Sequence, residues 1–219
     1  MAEPDFLEPA EYVDSDAENV RAFAQAAVEG FAGDRARAVA LYNAVRDKIA
    51  YDPYLDYLGG DVFRASAVLK AGRGFCVGKS ALLAACARAV GIPARPGFAD
   101  VRNHMTSKRL QEMVGGDVFT WHSYTELLID GQWVKCTPAF DTELCRRARI
   151  APLEFDGAHD SLFHEFDHAG RRHMEYLKDR GTFADVPVDT ILAQFKQQYP
   201  RLMLSGQAKG DFHAEVIAK

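Results

Sequence analysis

The chain has 219 residues, 48% of them hydrophobic and 26% charged, with a formal net charge of -5, which is long enough for a sizeable core and not disorder-prone in composition. A sequence pI near 5.8 excludes nucleic-acid and anionic-membrane binding as leading functions, since both require a basic face. The acidic start, MAEPDFLEPAEYVDSD, lacks the apolar core of a secretory signal and no run reaches membrane-spanning length, so a cytoplasmic chain is expected.

From the N-terminus, Ser15-Asp16-Ala17-Glu18 fits a capping box, and the apolar spacing that follows predicts a helix over 16–30. Gly33-Asp34 opens a second helix that ends before Tyr51-Asp52-Pro53, and the Tyr-, Asp-, Pro- and Gly-rich stretch 51–60 reads as a loop. A short helix over 62–70 precedes Gly72-Arg73-Gly74-Phe75-Cys76, where a glycine-rich turn delivers a cysteine to the start of the apolar run ALLAACARAV. A helix buried on most sides follows, stopped by Gly91-Ile92-Pro93. Helix N-termini favour thiolate over thiol, and their free N–H groups can hold a developing oxyanion, so Cys76 is a candidate nucleophile and its backbone N–H an oxyanion donor. A plain buried cysteine is the competing reading. Cys76, Cys86, Cys136 and Cys145 show no CxxC spacing, and neither a zinc knuckle nor disulfides are expected of them.

Residues 94–101 read as a strand, and 104–116 as a solvated polar connection with a short helix. VFTWHSYTELLI, Asp130-Gly131 and QWVKCTPAF then predict a β-hairpin in which Ile129 pairs with Gln132. Carried on, this register sets His122 opposite Ala139, with His122, Tyr124 and Glu126 on one face beside Thr137, Ala139 and Asp141. Pro138 softens the last step. Segments 171–181 and 188–200 read as C-terminal helices, and the tail beyond Pro200 shows no pattern.

A helix-start cysteine followed by a histidine on a strong hairpin has the parts of a cysteine hydrolase or acyltransferase. The segments Gly72-Arg73-Gly74-Phe75-Cys76, Ala87 to Arg95, and His122-Ser123-Tyr124-Thr125-Glu126 with Gly131-Gln132-Trp133 together resemble the transglutaminase-like superfamily within the papain-like cysteine enzymes. The resemblance implies an α+β fold with the cysteine helix packed on an antiparallel sheet, in one domain with a core over about 35–141, N-terminal helices over 16–49 and a helical extension over 142–219. It also implies acyl chemistry at an amide of a peptide, protein or small molecule: attack by Cys76, general acid–base work by His122, and no metal or organic cofactor. One position departs from the family pattern. Thr137-Pro138 stands where an aspartate before proline is usual, and an uncharged hydroxyl stabilises an imidazolium less than a carboxylate does. Asp141, a diagonal neighbour of His122 at about 7–8 Å, is the predicted orienting carboxylate, with Thr137 the alternative. Tyr51, Glu126, Lys79 and Arg73 read as structural or solvated groups near the site.

Two rival readings stand beside this one. His164-Glu165-Phe166-Asp167-His168 matches the HExxH pattern of zinc hydrolases, with His159 and His173 nearby, although the spacing to Gly170 and His173 misses the longer zincin form. Alternatively, the chain is a non-catalytic binding module that retains the fold.

Overall fold

The computed structural model describes residues 6–59, 61–104, 106–162, 174–203 and 210–216. Helices α1 (Glu18–Val28) and α2 (Asp34–Lys48) follow the predicted periodicity and bury Val20, Ala24 and Val28, and Leu41, Tyr42 and Val45. The predicted capping box does not form, and α1 starts at Ala17 without a side-chain cap. The segment before it is pinned elsewhere: Asp185 accepts the N–H groups of Tyr12 and Val13, and Asp14 accepts the Ser66 N–H. Asp14 thereby caps α3 (Ala65–Ala71) from a distance, where Arg64 supplies no side-chain cap.

Strand β1 (Ala50–Tyr51) pairs in parallel with β2 (Arg73–Gly74), which feeds directly into α4 (Cys76–Ala89). Between them α3 ends on Gly72 at φ 65°, its N–H bonded to the Val68 and Leu69 carbonyls, a left-handed closure that glycine adopts without strain. Every residue of α4 from Cys76 to Arg88 is buried. Gly78 permits a close approach within α4, since a Cβ there would meet the Val62 carbonyl oxygen at 2.5 Å.

Strands β3 (Ala94–Asn103), β4 (Val118–Ile129), β5 (Gln132–Cys136) and β6 (Met174–Thr182) form an antiparallel sheet in the order β5-β4-β3-β6. Helix α4 packs between this sheet and α1–α3. The hairpin register runs from Ile129–Gln132 to Thr125–Cys136 and stops there. The predicted pairing of His122 with Ala139 is not made, because the Thr137 N–H turns to the Ser161 carbonyl and Pro138 has no N–H to give. A second correction concerns Met174–Thr182, predicted as helix. It fills the free edge of β3, so the region after residue 142 is not purely helical; sheet pairing overrides a weak local preference.

The remaining elements are α5 (Lys108–Val114), capped by Ser107; α6 (Thr142–Ala148), capped by Asp141; α7 (Val188–Gln198); α8 (Pro200–Met203); and α9 (Phe212–Glu215), capped by Asp211. Among the described residues no helix is long and apolar enough to cross a membrane.

Lys79, expected to be solvated, is fully buried. Its Nζ donates to the Arg46 and Ile49 carbonyls at 2.9 and 2.5 Å, closing the C-terminal end of α2. Burial pushes this ammonium down to about 7, so between pH 7 and its unfolded value near 10.4 the unfolded chain binds more protons and stability rises with pH. Replacement by methionine removes that slope and leaves two carbonyls unpaired. Urea unfolding of Lys79→Met should therefore show a loss of about 1–3 kcal/mol at pH 9, shrinking as pH falls toward 6.

Candidate active site

Cys76 is the first residue of α4, after Phe75 at the N-cap. The backbone N–H groups of Ser123 on β4, of Val77 and of Cys76 itself act on its Sγ. These donors favour thiolate, yet burial outweighs them and pushes the thiol up to about 11. Burial thus opposes the activated thiolate expected from the helix start. Burial also acts on His122, pushing the imidazole down to about 4. Its Nε2 is buried with no hydrogen-bond partner among the described residues. Cys76 and His122 line one cleft of about 680 Å³, open solvent included, with Tyr51, Tyr57, Phe75, Phe140, Phe195 and Phe212 among its walls.

His122 owes its placement to a break in β4. Ala99 pairs with His122 but Val101 pairs with Phe119, so β4 carries one residue more than β3 between those pairs. This β-bulge holds Trp121 at φ 60°, a left-handed conformation uncommon for a bulky residue. Its consequence is visible in the cleft wall. Phe119, Thr120, Trp121 and His122 all line the cleft, which the strict alternation of a regular strand would forbid. The bulge is fixed by Asp100, whose Oδ1 accepts the Trp121 N–H at 3.2 Å while both carboxylate oxygens accept from Arg180 at 2.5 and 2.8 Å. The Arg180 guanidinium lies 4.7 Å from the Trp121 ring centroid, and the indole N–H donates to Gln194. Neither Asp100 nor Arg180 is marked in the sequence; only the tryptophan beside the histidine hints at a specially held position.

The expectation that Asp141 orients His122 is not met in the hydrogen bonding. Asp141 caps α6 through the Leu144 N–H at 2.9 Å, accepts the Tyr51 N–H at 2.9 Å, and lies 3.4 Å from His213 Nε2. Thr137 donates its N–H to Ser161, and its buried hydroxyl has no partner among the described residues. Glu126 pairs with Arg95 at 2.7 Å and lies 3.8 Å from Lys135, so it serves the sheet. Arg73 pairs with Asp52, and Tyr51 packs edge-on against Phe140 and Phe212. Residues 104–116, expected to be a solvated connection, instead border the cleft through Thr106, Leu110 and Val114. All four cysteines carry free thiols, and burial raises Cys86, Cys136 and Cys145 as well.

His164, Glu165, His168 and His173 lie outside the described residues, while His159 is exposed and bonded to Asp156. Among the described residues no group of His, Cys, Asp and Glu is placed to hold a metal ion.

A cysteine opening a buried helix that packs on an antiparallel sheet bearing a histidine defines the papain-like class of α+β folds. The profile of the Transglutaminase-like superfamily matches residues 21–138, more than half of the chain, and the chain belongs to that superfamily. None of the curated proteins matches it. Among solved structures it is similar to a candidate cysteine protease from Cytophaga hutchinsonii, with 18% identity, a TM-score of 0.48, and coverage of 82% of this chain and 46% of the other. It is also similar to a candidate protease from Parabacteroides distasonis ATCC 8503, with 16% identity, a TM-score of 0.40, and coverage of 60% of this chain and 24% of the other. The chain therefore spans less than half the length of either structure.

Two substitutions test this geometry. Asp100→Ala strands the Arg180 guanidinium, only 12% exposed, and should cost about 3–5 kcal/mol in denaturant unfolding, with Asp100→Asn milder because it keeps an acceptor for Trp121. Asp141→Ala removes a cap and a long-range acceptor. It should cost about 2 kcal/mol and leave the pH dependence of Cys76 alkylation as in the wild type; a shifted profile would restore Asp141 as the group that orients His122.

Proposed function

We propose that the chain is a cysteine-dependent hydrolase or acyltransferase acting at an amide carbonyl. The observation that carries this reading is the cleft itself, which brings a helix-start thiol and a buried imidazole nitrogen without a partner to the same apolar wall. Buried polar atoms are rarely left unpaired, and one that faces a cleft beside a thiol is a candidate reaction site.

In this reading His122 takes the thiol proton as the Cys76 sulfur attacks the carbonyl carbon. The carbonyl electron pair moves onto oxygen, where the Cys76 backbone N–H at the helix start opposes the new charge. Collapse of the tetrahedral adduct breaks the C–N bond, and the departing amine receives the proton from the imidazolium. The thioester is then resolved by water or by a second amine, whose proton returns through His122 to the sulfur. With Asp141 engaged at α6 and Tyr51, Thr137 is the other group the sequence offers for orienting the imidazole, although its hydroxyl makes no hydrogen bond to the ring in this structure. Its hydroxyl would steady the ring's direction while adding no negative charge.

Turnover of a panel of peptide, small-amide and thioester substrates tests the proposal. Cys76→Ala should lower kcat/KM by at least ~1,000-fold, and the wild type should yield an acyl adduct on Cys76 by mass spectrometry. Undiminished turnover in Cys76→Ala would overturn the cysteine mechanism. A complete lack of turnover alongside substrate-like peptide binding would instead favour the non-catalytic module.

A further inference from the structure

The tail beyond Pro200, patternless in sequence, returns to the cleft. Phe212 is buried there and lines the same space as Cys76 and His122. Its ring stands edge-on to Tyr51 and Tyr54, with centroids 5.5 and 6.0 Å away. One helical turn on, and so on the same side of α9, Glu215 meets three donors. The Tyr54 hydroxyl and Ser107 hydroxyl donate to Oε2, and Arg109 Nη1 donates to Oε1 at 3.0 Å. The Arg109 guanidinium also lies 4.8 Å from the Tyr54 ring centroid. Between the two anchors, His213 Nε2 lies 3.2 Å from the Tyr51 carbonyl oxygen and 3.4 Å from Asp141, while Arg147 donates to the His213 carbonyl.

This is a two-point arrangement. Phe212 sits in an aromatic slot against Tyr51 and Tyr54 on the wall of the cleft it shares with the thiol, and Arg109 with the Tyr54 and Ser107 hydroxyls holds Glu215 one helical turn away. We propose that the groove beside Cys76 reads peptide segments carrying an aromatic residue followed three positions later by a carboxylate, and that the chain's own Phe212–Glu215 turn occupies it as an intramolecular competitor. The proposal names the substrate class and a regulatory contact of the site described above, and so rests on that reading for its catalytic meaning. The charge balance favours such a ligand: Arg109 and the Tyr54 and Ser107 hydroxyls all donate, and Glu215 is the acceptor they share.

The test uses the full chain. Phe212→Ala empties the slot, and Glu215→Lys sets a cation against Arg109 without touching the apolar wall; circular dichroism and thermal melting establish that each is folded, and Glu215→Lys carries the test should Phe212→Ala prove unfolded. The probe is the capped heptapeptide Gly-Asp-Phe-His-Ala-Glu-Val, with a control peptide in which Phe and Glu are alanine. The folded variants should alkylate at Cys76 about tenfold faster with iodoacetamide than the wild type, as expected when a mostly closed state is opened. The heptapeptide should bind them in fluorescence anisotropy and restore slow alkylation, and the control should do neither. Alkylation at the wild-type rate in the folded variants, or no preference for the heptapeptide over its control, overturns the proposal. Peptide binding is also measured in Phe212→Ala combined with Cys76→Ala, where it does not depend on the thiol. A groove that binds there while Cys76 proves dispensable for turnover would sink the catalytic reading and leave the recognition site standing.

Discussion

The burial of α4 on every side is the constraint on which the rest of the structure depends. A helix wrapped this completely cannot shed its charged residues into water, so its lysine and arginine become ties to neighbouring segments. Lys79 closes the end of α2, and Arg88 gathers the carbonyls of Glu8, Ala94 and Ala184. The Thr125 hydroxyl donates to the Ser80 carbonyl and locks β4 onto the helix. A net hydrogen bond contributes about 1 kcal/mol, whereas a fully buried leucine such as Leu82 or Leu83 contributes about 1.5–3 kcal/mol. Apolar burial therefore holds the helix in place, and the polar ties decide its register. The position of Cys76 follows from both.

The sheet contributes its half of the site through an irregularity. Holding Trp121 in the left-handed region costs on the order of 1–3 kcal/mol, and a regular strand would avoid it. Asp100, Arg180 and Gln194 offset that cost with a paired carboxylate, a cation over the indole and a hydrogen bond to its N–H. The result is a wall in which consecutive residues face one cleft. Arg180 lies on β6, so the edge strand added after the hairpin stabilises the bulge that sets His122.

Much of this was legible in the sequence where the signal is local. The hairpin turn at Asp130-Gly131 fixed the register of its own pairs, and the apolar run after Cys76 announced a buried helix. That same run implied a buried Lys79, because no face of such a helix is left for solvent; treating the lysine as a solvated charge ignored its surroundings. The failures are nonlocal. Asp141 was placed by extending a register that ended at Cys136, since a competing carbonyl on Ser161 took the Thr137 N–H. Met174–Thr182 carries a weak helical pattern, and only the open edge of β3, distant in sequence, makes it a strand. Phe212–Glu215 is one turn long, too short to show periodicity, and its meaning lies in partners from three other parts of the chain.

The shifts at Cys76 and His122 share one cause and run in opposite directions, and that pairing has a consequence for reactivity. Burial disfavours whichever form is charged, so it raises a thiol and lowers an imidazole. Each shift moves the pair away from thiolate and imidazolium. The Ser123 and Val77 N–H groups act the other way and would stabilise the sulfur more once it is charged. The ring of Phe212 is one wall of the cleft that Cys76 and His122 share, so it is part of the burial that both groups feel.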